Sequence, residues 1–196
     1  MSLAEDLSPS GPRFESAQAF LDWAERQPER WELWDGVARL APRMMTGGSL
    51  NHSRLSRNVL TSLAARLGAG PCEVFGSDAA VVLSPGRVAY PDVSVSCEPE
   101  DGPALLHPIV IVEVLSPSTA SYDHGGKASA YRRLPSLRHL VLLCQDRVEA
   151  QHFHREEAGQ EFALTEIDRV DGRLRLTSVG VEVVLAELYA GVRLGG

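Results

Sequence analysis

The chain has 196 residues, 44% of them hydrophobic, and its 26 acidic residues against 19 basic ones give a formal net charge of −7. That length can bury one sizeable core, and one domain is the natural count. No apolar run approaches the ~18 residues of a membrane span, and the acidic total argues against a general polyanion binder.

Residues 1–14 lack a basic-then-apolar signal pattern and read as a flexible tail ahead of one domain over 15–196. Next, "SAQAFLDWAERQ" (16–27) starts with a Ser cap and puts Ala19, Phe20 and Trp23 on one helical stripe. "WELWDGVARLA" (31–41) reads as a strand with a turn at Asp35-Gly36. "SLNHSRLSRNVLTSLAARLG" (49–68) carries Leu55, Val59, Leu63 and Leu67 at helical spacing, with Gly68 as a stop. Strand-like runs follow at 72–83, 87–97 and 108–115. A helix is expected over roughly 122–134, ending before Pro135, and then a buried strand at "LRHLVLLC" (137–144). Shorter alternating runs and a small helix near "LAELYAG" (185–191) complete the chain. Strands interleaved with helices on one core indicate a mixed α/β or α+β fold. Cys72, Cys97 and Cys144 are far apart and form no CxxC pair, so reduced, mostly buried thiols in a cytoplasmic protein are expected.

The charge is unevenly spread. From Gly36 to Cys72 there are five arginines and no acid; from His124 to Gln145 there are Lys127, Arg132, Arg133 and Arg138, again with no acid. Such zones either steer a phosphate backbone to one face or are ordinary surface variation. Lys127 is the only lysine, the other 18 basic residues being arginine. Lysine is a compact charge whose pKa moves readily in a crowded site, so Lys127 is either a catalytic group or a solvated helix residue paired with Asp123.

The acids are more telling. Glu113 sits within "PIVIVEVL" (108–115), a run apolar enough to be covered on both faces. A carboxylate there needs a buried arginine, a metal or another partner. In "YPDVSVSC" (90–97), Asp92 alternates with Val93, Val95 and Cys97 and lies on the more polar face. A hairpin around Gly102-Pro103 opposes residues whose numbers total 205, which sets Asp92 against Glu113. Two adjacent carboxylates without thiolates are hard oxygen ligands suited to Mg²⁺ or Mn²⁺.

Taken in order, "ELWDG" (32–36), "NH" (51–52), "YPDVSV" (90–95), "IVEVLSPST" (111–119) and "YDHGGKASAYRRLPSLRHLVLLCQD" (122–146) resemble the restriction-endonuclease-like superfamily, the PD-(D/E)XK nucleases. The likeness is to its bacterial branch of small proteins described as restriction endonucleases. Pro91-Asp92 supplies the literal PD, whereas Glu113 is followed by Val114 and Leu115, an apolar residue where the family lysine normally stands. The resemblance implies that the lysine has moved to the following helix, as Lys127. It further implies a central mixed sheet flanked by helices, with Asp92, Glu113 and the Val114 carbonyl holding a divalent metal and Lys127 beside the attacking water. Glu32, His52 and Tyr131 are supporting candidates. The implied substrate is nucleic acid, DNA first, and the implied assembly a homodimer to which the aromatic "WELW" segment could contribute.

Other patterns fail. A phosphate-binding loop around "GGKAS" would need Gly at 121 and Ser or Thr at 128, where the chain has Ser121 and Ala128. His152 and His154 share a strand face that could bind zinc, but no further ligand cluster accompanies them. No G-x-S-x-G element supports a serine hydrolase. Two rivals to a nuclease stand: a binding or assembly protein with an idle nuclease site, and a metal-dependent hydrolase of another phosphate ester.

Overall fold

A computed structural model describes residues 10–41, 49–115 and 126–194. Strand β1 (Ser10–Arg13) pairs antiparallel with β3, so the chain enters the fold earlier than the tail expected over 1–14. Helix α1 (Ala17–Ala24) begins at the expected cap, where Ser16 Oγ accepts from the Ala19 amide at 3.2 Å. Strands β2 (Trp31–Trp34) and β3 (Val37–Leu40) then form a hairpin. Its two turn residues have positive φ, 52° at Asp35 and 75° at Gly36, as a tight turn matched to strand twist requires. Helix α2 (Leu50–Leu67) runs from a Ser49 cap to Gly68, whose φ of 55° suits a residue without Cβ.

Two strand-like stretches of sequence each divide between different sheets. Residues 72–83 contribute to β4 (Glu73–Gly76) and β5 (Ala80–Ser84), separated by a turn closed by the Ala79 amide on the Gly76 carbonyl. Residues 87–97 become β6 (Arg87–Ala89) and β7 (Val93–Ser96). Pro91, which has no N–H for a ladder, falls in the break between them. After β8 (Ala104–Leu105), strand β9 (Pro108–Leu115) matches its expected bounds. Helix α3 (Ala128–Arg132) is shorter than the helix expected over 122–134, of which 122–125, with Asp123, lie outside the described residues. Strands β10 (His139–Cys144), β11 (Ala150–His154), β12 (Ala163–Ile167), β13 (Arg173–Leu176) and β14 (Val181–Val184) precede helix α4 (Leu185–Leu188).

The result is a mixed α+β architecture. A central six-stranded sheet has the order β12-β11-β10-β9-β7-β4; a second has the order β1-β3-β2-β6-β5-β8; β13 and β14 form a separate hairpin. Both sheets are mixed, since β9 runs parallel to β10 and β5 to β8. The central sheet is covered on both faces. On one, α2, the β13–β14 hairpin and α4 bury Leu55, Val59, Val93, Val112, Val141 and Leu185. On the other, α3 and the second sheet bury Ile111, Leu115, Tyr131, Leu140 and Leu142. This double cover is why β10 is buried along its whole length and β9 nearly so, as their unbroken apolar runs require. Among the described residues no helix is long and apolar enough to cross a membrane.

The expectation of three reduced thiols is corrected. Cys72 and Cys97 form a disulfide, while Cys144 is free and buried. The antiparallel pairing of β4 with β7 sets Glu73 against Ser96 and brings the cysteine just outside each strand opposite the other. A separation of 25 residues carries no local sign of that closure.

Candidate active site

The register of the central sheet brings the two key acids together. Val93 pairs with Val112, Ser94 with Ile111 and Val95 with Val110, all totalling 205, so Asp92 stands at the position opposite Glu113. Both are buried, Asp92 at 9% and Glu113 at 6% exposure. Each carboxylate is held by fixed donors. Asp92 Oδ2 accepts from the Val114 amide at 2.7 Å and lies 3.2 Å from His52 Nε2. His52 is placed by the first turn of α2, where its own amide donates to Ser49 Oγ at 3.1 Å and its Nδ1 lies 3.5 Å from Ser56 Oγ. On the other side, Glu113 Oε1 accepts from the Tyr131 hydroxyl at 2.6 Å and sits 2.9 Å from Lys127 Nζ.

Lys127 lies at the entry to α3, one turn before Tyr131, so the two side chains reach Glu113 from the same helical face. Glu32 arrives from the second sheet and comes within 3.4 Å of Lys127 Nζ. Its orientation is set by the Trp34 indole N–H, which donates to Oε2 at 2.9 Å, and by the Tyr90 amide at 3.4 Å from Oε1. Trp34 is two residues from Glu32 and therefore on the same strand face, a relation already present in the alternation of "WELW". The aromatic residues of that segment pack within the chain: Trp34 in the core beside α3, Trp31 against Trp23.

Burial works against a charge on Lys127, but the attraction of Glu113, reinforced by Tyr131 and Glu32, outweighs it and raises the pKa well above its ordinary value. The direction favours the ammonium form of Lys127 in contact with Glu113. Tyr131 is pushed well above its ordinary value by burial and then by Glu113, so it stays a phenol and a hydrogen-bond donor.

All six side chains expected at the site, Glu32, His52, Asp92, Glu113, Lys127 and Tyr131, are buried, and each touches another member of the set. Asp92 and His52 make one contact pair; Glu32, Glu113, Lys127 and Tyr131 make a connected group. Sequence reasoning missed the part of Trp34 and the placement of Arg39 and Arg87, which line a cavity beside Lys127.

Among the described residues no group of three or more His, Cys, Asp or Glu side chains is placed to hold a metal ion. The donor set at Asp92 and Glu113 nonetheless suits a hard cation. Mg²⁺ is commonly bound through only one or two carboxylates, with water and substrate oxygens filling the remaining positions. The histidines considered for zinc are engaged otherwise. His139 Nδ1 lies 2.9 Å from His152 Nε2, and His154 Nε2 lies 3.1 Å from Thr165 Oγ1.

Residues 17–186 match the model of a family described as "Uma2: Putative restriction endonuclease". The chain belongs to the Uma2 family. Relatives of this Uma2 chain include two uncharacterized proteins of Synechocystis sp. One, slr1290, is 35% identical over 190 residues, covering 94% of this chain and 97% of the relative. The other, sll1609, is 30% identical over 158 residues, covering 78% and 86%. A crystal structure of a protein from Anabaena variabilis ATCC 29413, described as "a putative nuclease belonging to DUF820", superposes with a TM-score of 0.66 at 17% identity. It covers 87% of the Uma2 chain and 97% of its own, which shows a shared fold.

Proposed function

We propose that this Uma2 chain is a divalent-metal-dependent endonuclease that hydrolyses phosphodiester bonds of nucleic acid, with DNA as substrate and Mg²⁺ or Mn²⁺ as the metal. The observation that carries this reading is the burial of two opposed carboxylates, Asp92 and Glu113, beside the chain's only lysine. Family membership and the fold shared with the Anabaena protein support the same class of chemistry.

In this reading Asp92, Glu113 and the Val114 carbonyl hold the metal. When bound, it supplies a more acidic water and relief of charge on the phosphoryl oxygens. The protein's own groups do the positioning. His52 and the Val114 amide fix Asp92, and Tyr131 fixes Glu113. Lys127, whose charged form is favoured by Glu113, orients the water and stabilises negative charge as it develops on the phosphoryl oxygens. Glu32, steadied by Trp34, keeps the ammonium group in place.

The test is cleavage of plasmid and single-stranded DNA with Mg²⁺ or Mn²⁺ against chelator, using wild type, Glu113→Gln and Lys127→Ala, each checked for folding by circular dichroism. Metal-dependent cutting by wild type, lost in both folded variants, is expected. Cutting that survives both variants would overturn the site. Absence of both cutting and metal binding in wild type would favour an idle scaffold.

A further inference from the structure

Beside Lys127 the surface opens into a cavity of about 180 Å³ lined by Trp34, Asp35, Arg39, Arg87, Gly126 and Lys127. That volume is below the roughly 300–1,000 Å³ of pockets that enclose drug-sized ligands and suits a small group. Arg39 is directly opposite Glu32 in the β2–β3 ladder, where a cross-strand ion pair would be the ordinary outcome. Glu32 is instead turned to Lys127 and the Trp34 indole. Arg39 makes no hydrogen bond or ion pair among the described residues, is exposed, and lines the cavity. Arg87 is fixed rather than free. Its Nε and Nη2 donate to Asp35 Oδ1 at 2.8 and 2.6 Å, and its guanidinium lies 5.9 Å from the Trp34 ring centroid. Its Nη1 makes no hydrogen bond among the described residues.

We propose that Arg39 and Arg87 form a phosphate subsite that binds the substrate strand next to the phosphodiester being cut, an inference that rests on the nuclease reading. A flat guanidinium fork matches phosphate oxygens, and Arg39 and Arg87 both line this one small cavity. Asp35 neutralises much of Arg87 and orders it, while Arg39 supplies the uncompensated positive charge. The carboxylates at Asp92 and Glu113 serve the reacting phosphate; the arginine cavity, sharing Lys127 with them, sets the register of the strand. Arg39 and Arg87 are thus binding and positioning residues rather than catalytic ones.

The test compares Mg²⁺-dependent cleavage and chelator-phase binding of a fluorescent DNA oligonucleotide by wild type, Arg39→Ala, Arg39→Lys and Arg87→Ala. Arg169→Ala, a surface residue paired with Asp171, serves as control. Arg39→Ala should raise KM about tenfold, as loss of one charge-assisted contact implies, with kcat unchanged. It should also make the salt dependence of binding shallower by about 0.7–0.9 in log–log slope. Arg39→Lys should restore the slope while recovering only part of the affinity, and Arg169→Ala should change nothing. Wild-type cutting with KM and salt slope unaltered in Arg39→Ala and Arg87→Ala would overturn the subsite alone. Wild type that neither cuts nor binds the oligonucleotide would overturn the nuclease reading and the subsite with it.

Discussion

Two buried clusters of titratable groups share the central sheet, and the fold treats them in opposite ways. At the end of β9, Lys127 keeps its charge because Glu113 and Glu32 surround it. On β10 and β11, His139 and His152 are held neutral. Burial is the main cause for each, with unfavourable cationic neighbours added, and the pKa values fall to about 4 and about 3. The Ser178 amide donates to His139 Nε2 at 3.2 Å, so Nδ1 carries the proton and donates to His152 Nε2. A buried charge survives where opposite charge accompanies it into the core; where only like charge is near, the neutral form wins. The first cluster lies beside a cavity, and in the second the Ser178 amide occupies His139 Nε2.

Breaking the compensation should have the largest effect. Lys127→Met leaves Glu113 and Glu32 buried without their cation and should cost about 3–5 kcal/mol, read from the urea midpoint at neutral pH. The double variant Glu113→Gln with Lys127→Met should recover part of that loss, since the pair is in direct contact.

Acid should act on the second cluster. The unfolded chain takes up protons on His139 and His152 below their ordinary value of 6.5, whereas the folded chain does so only near 4 and 3. Their contribution is therefore flat well above pH 6.5 and becomes increasingly destabilising as pH falls through 6.5 toward 3, on the order of several kcal/mol in all. Urea unfolding at a series of pH values should show a shallower loss in a His139→Gln, His152→Gln double variant than in wild type.

Tyr131→Phe sharpens the comparison by removing a neutral donor from the charged cluster while leaving its charges in place. It should destabilise by about 1–3 kcal/mol, because Glu113 loses a buried hydrogen bond. The smallest effect belongs to His154→Gln. His154 lowers the pKa of both buried imidazoles, so its removal should raise both values, visible as a shift of the imidazole NMR titrations toward neutral pH.

Much of the candidate site was legible because strand arithmetic is local. The apolar run around Glu113 marked a doubly covered strand, and counting across the β7–β9 connection gave the register that sets Asp92 opposite it. Lys127 and Tyr131 were legible as one turn of a helix face. The approach of Glu32 was legible only through the family resemblance. Nothing near residue 32 signals that the β2–β3 hairpin will dock over the end of β9, nor that its tryptophan will steady the glutamate. The disulfide escaped for the same reason, since Cys72 and Cys97 meet through a strand pairing rather than through spacing.

The sequence by itself determined the pieces. Ser16 and Ser49 start helices, Asp35-Gly36 turns a hairpin, Gly68 stops α2, and the runs at 108–115 and 139–144 demand burial on both faces. Such choices depend on hydrogen bonds and steric limits within a few residues. Only the tertiary structure decided that residues 72–83 and 87–97 would each serve two sheets, and that Glu32, Trp34 and Arg39 would stand at the same site as Glu113 and Lys127. That outcome comes from burying remote apolar surfaces against one another, a sum over the whole chain that no short segment carries.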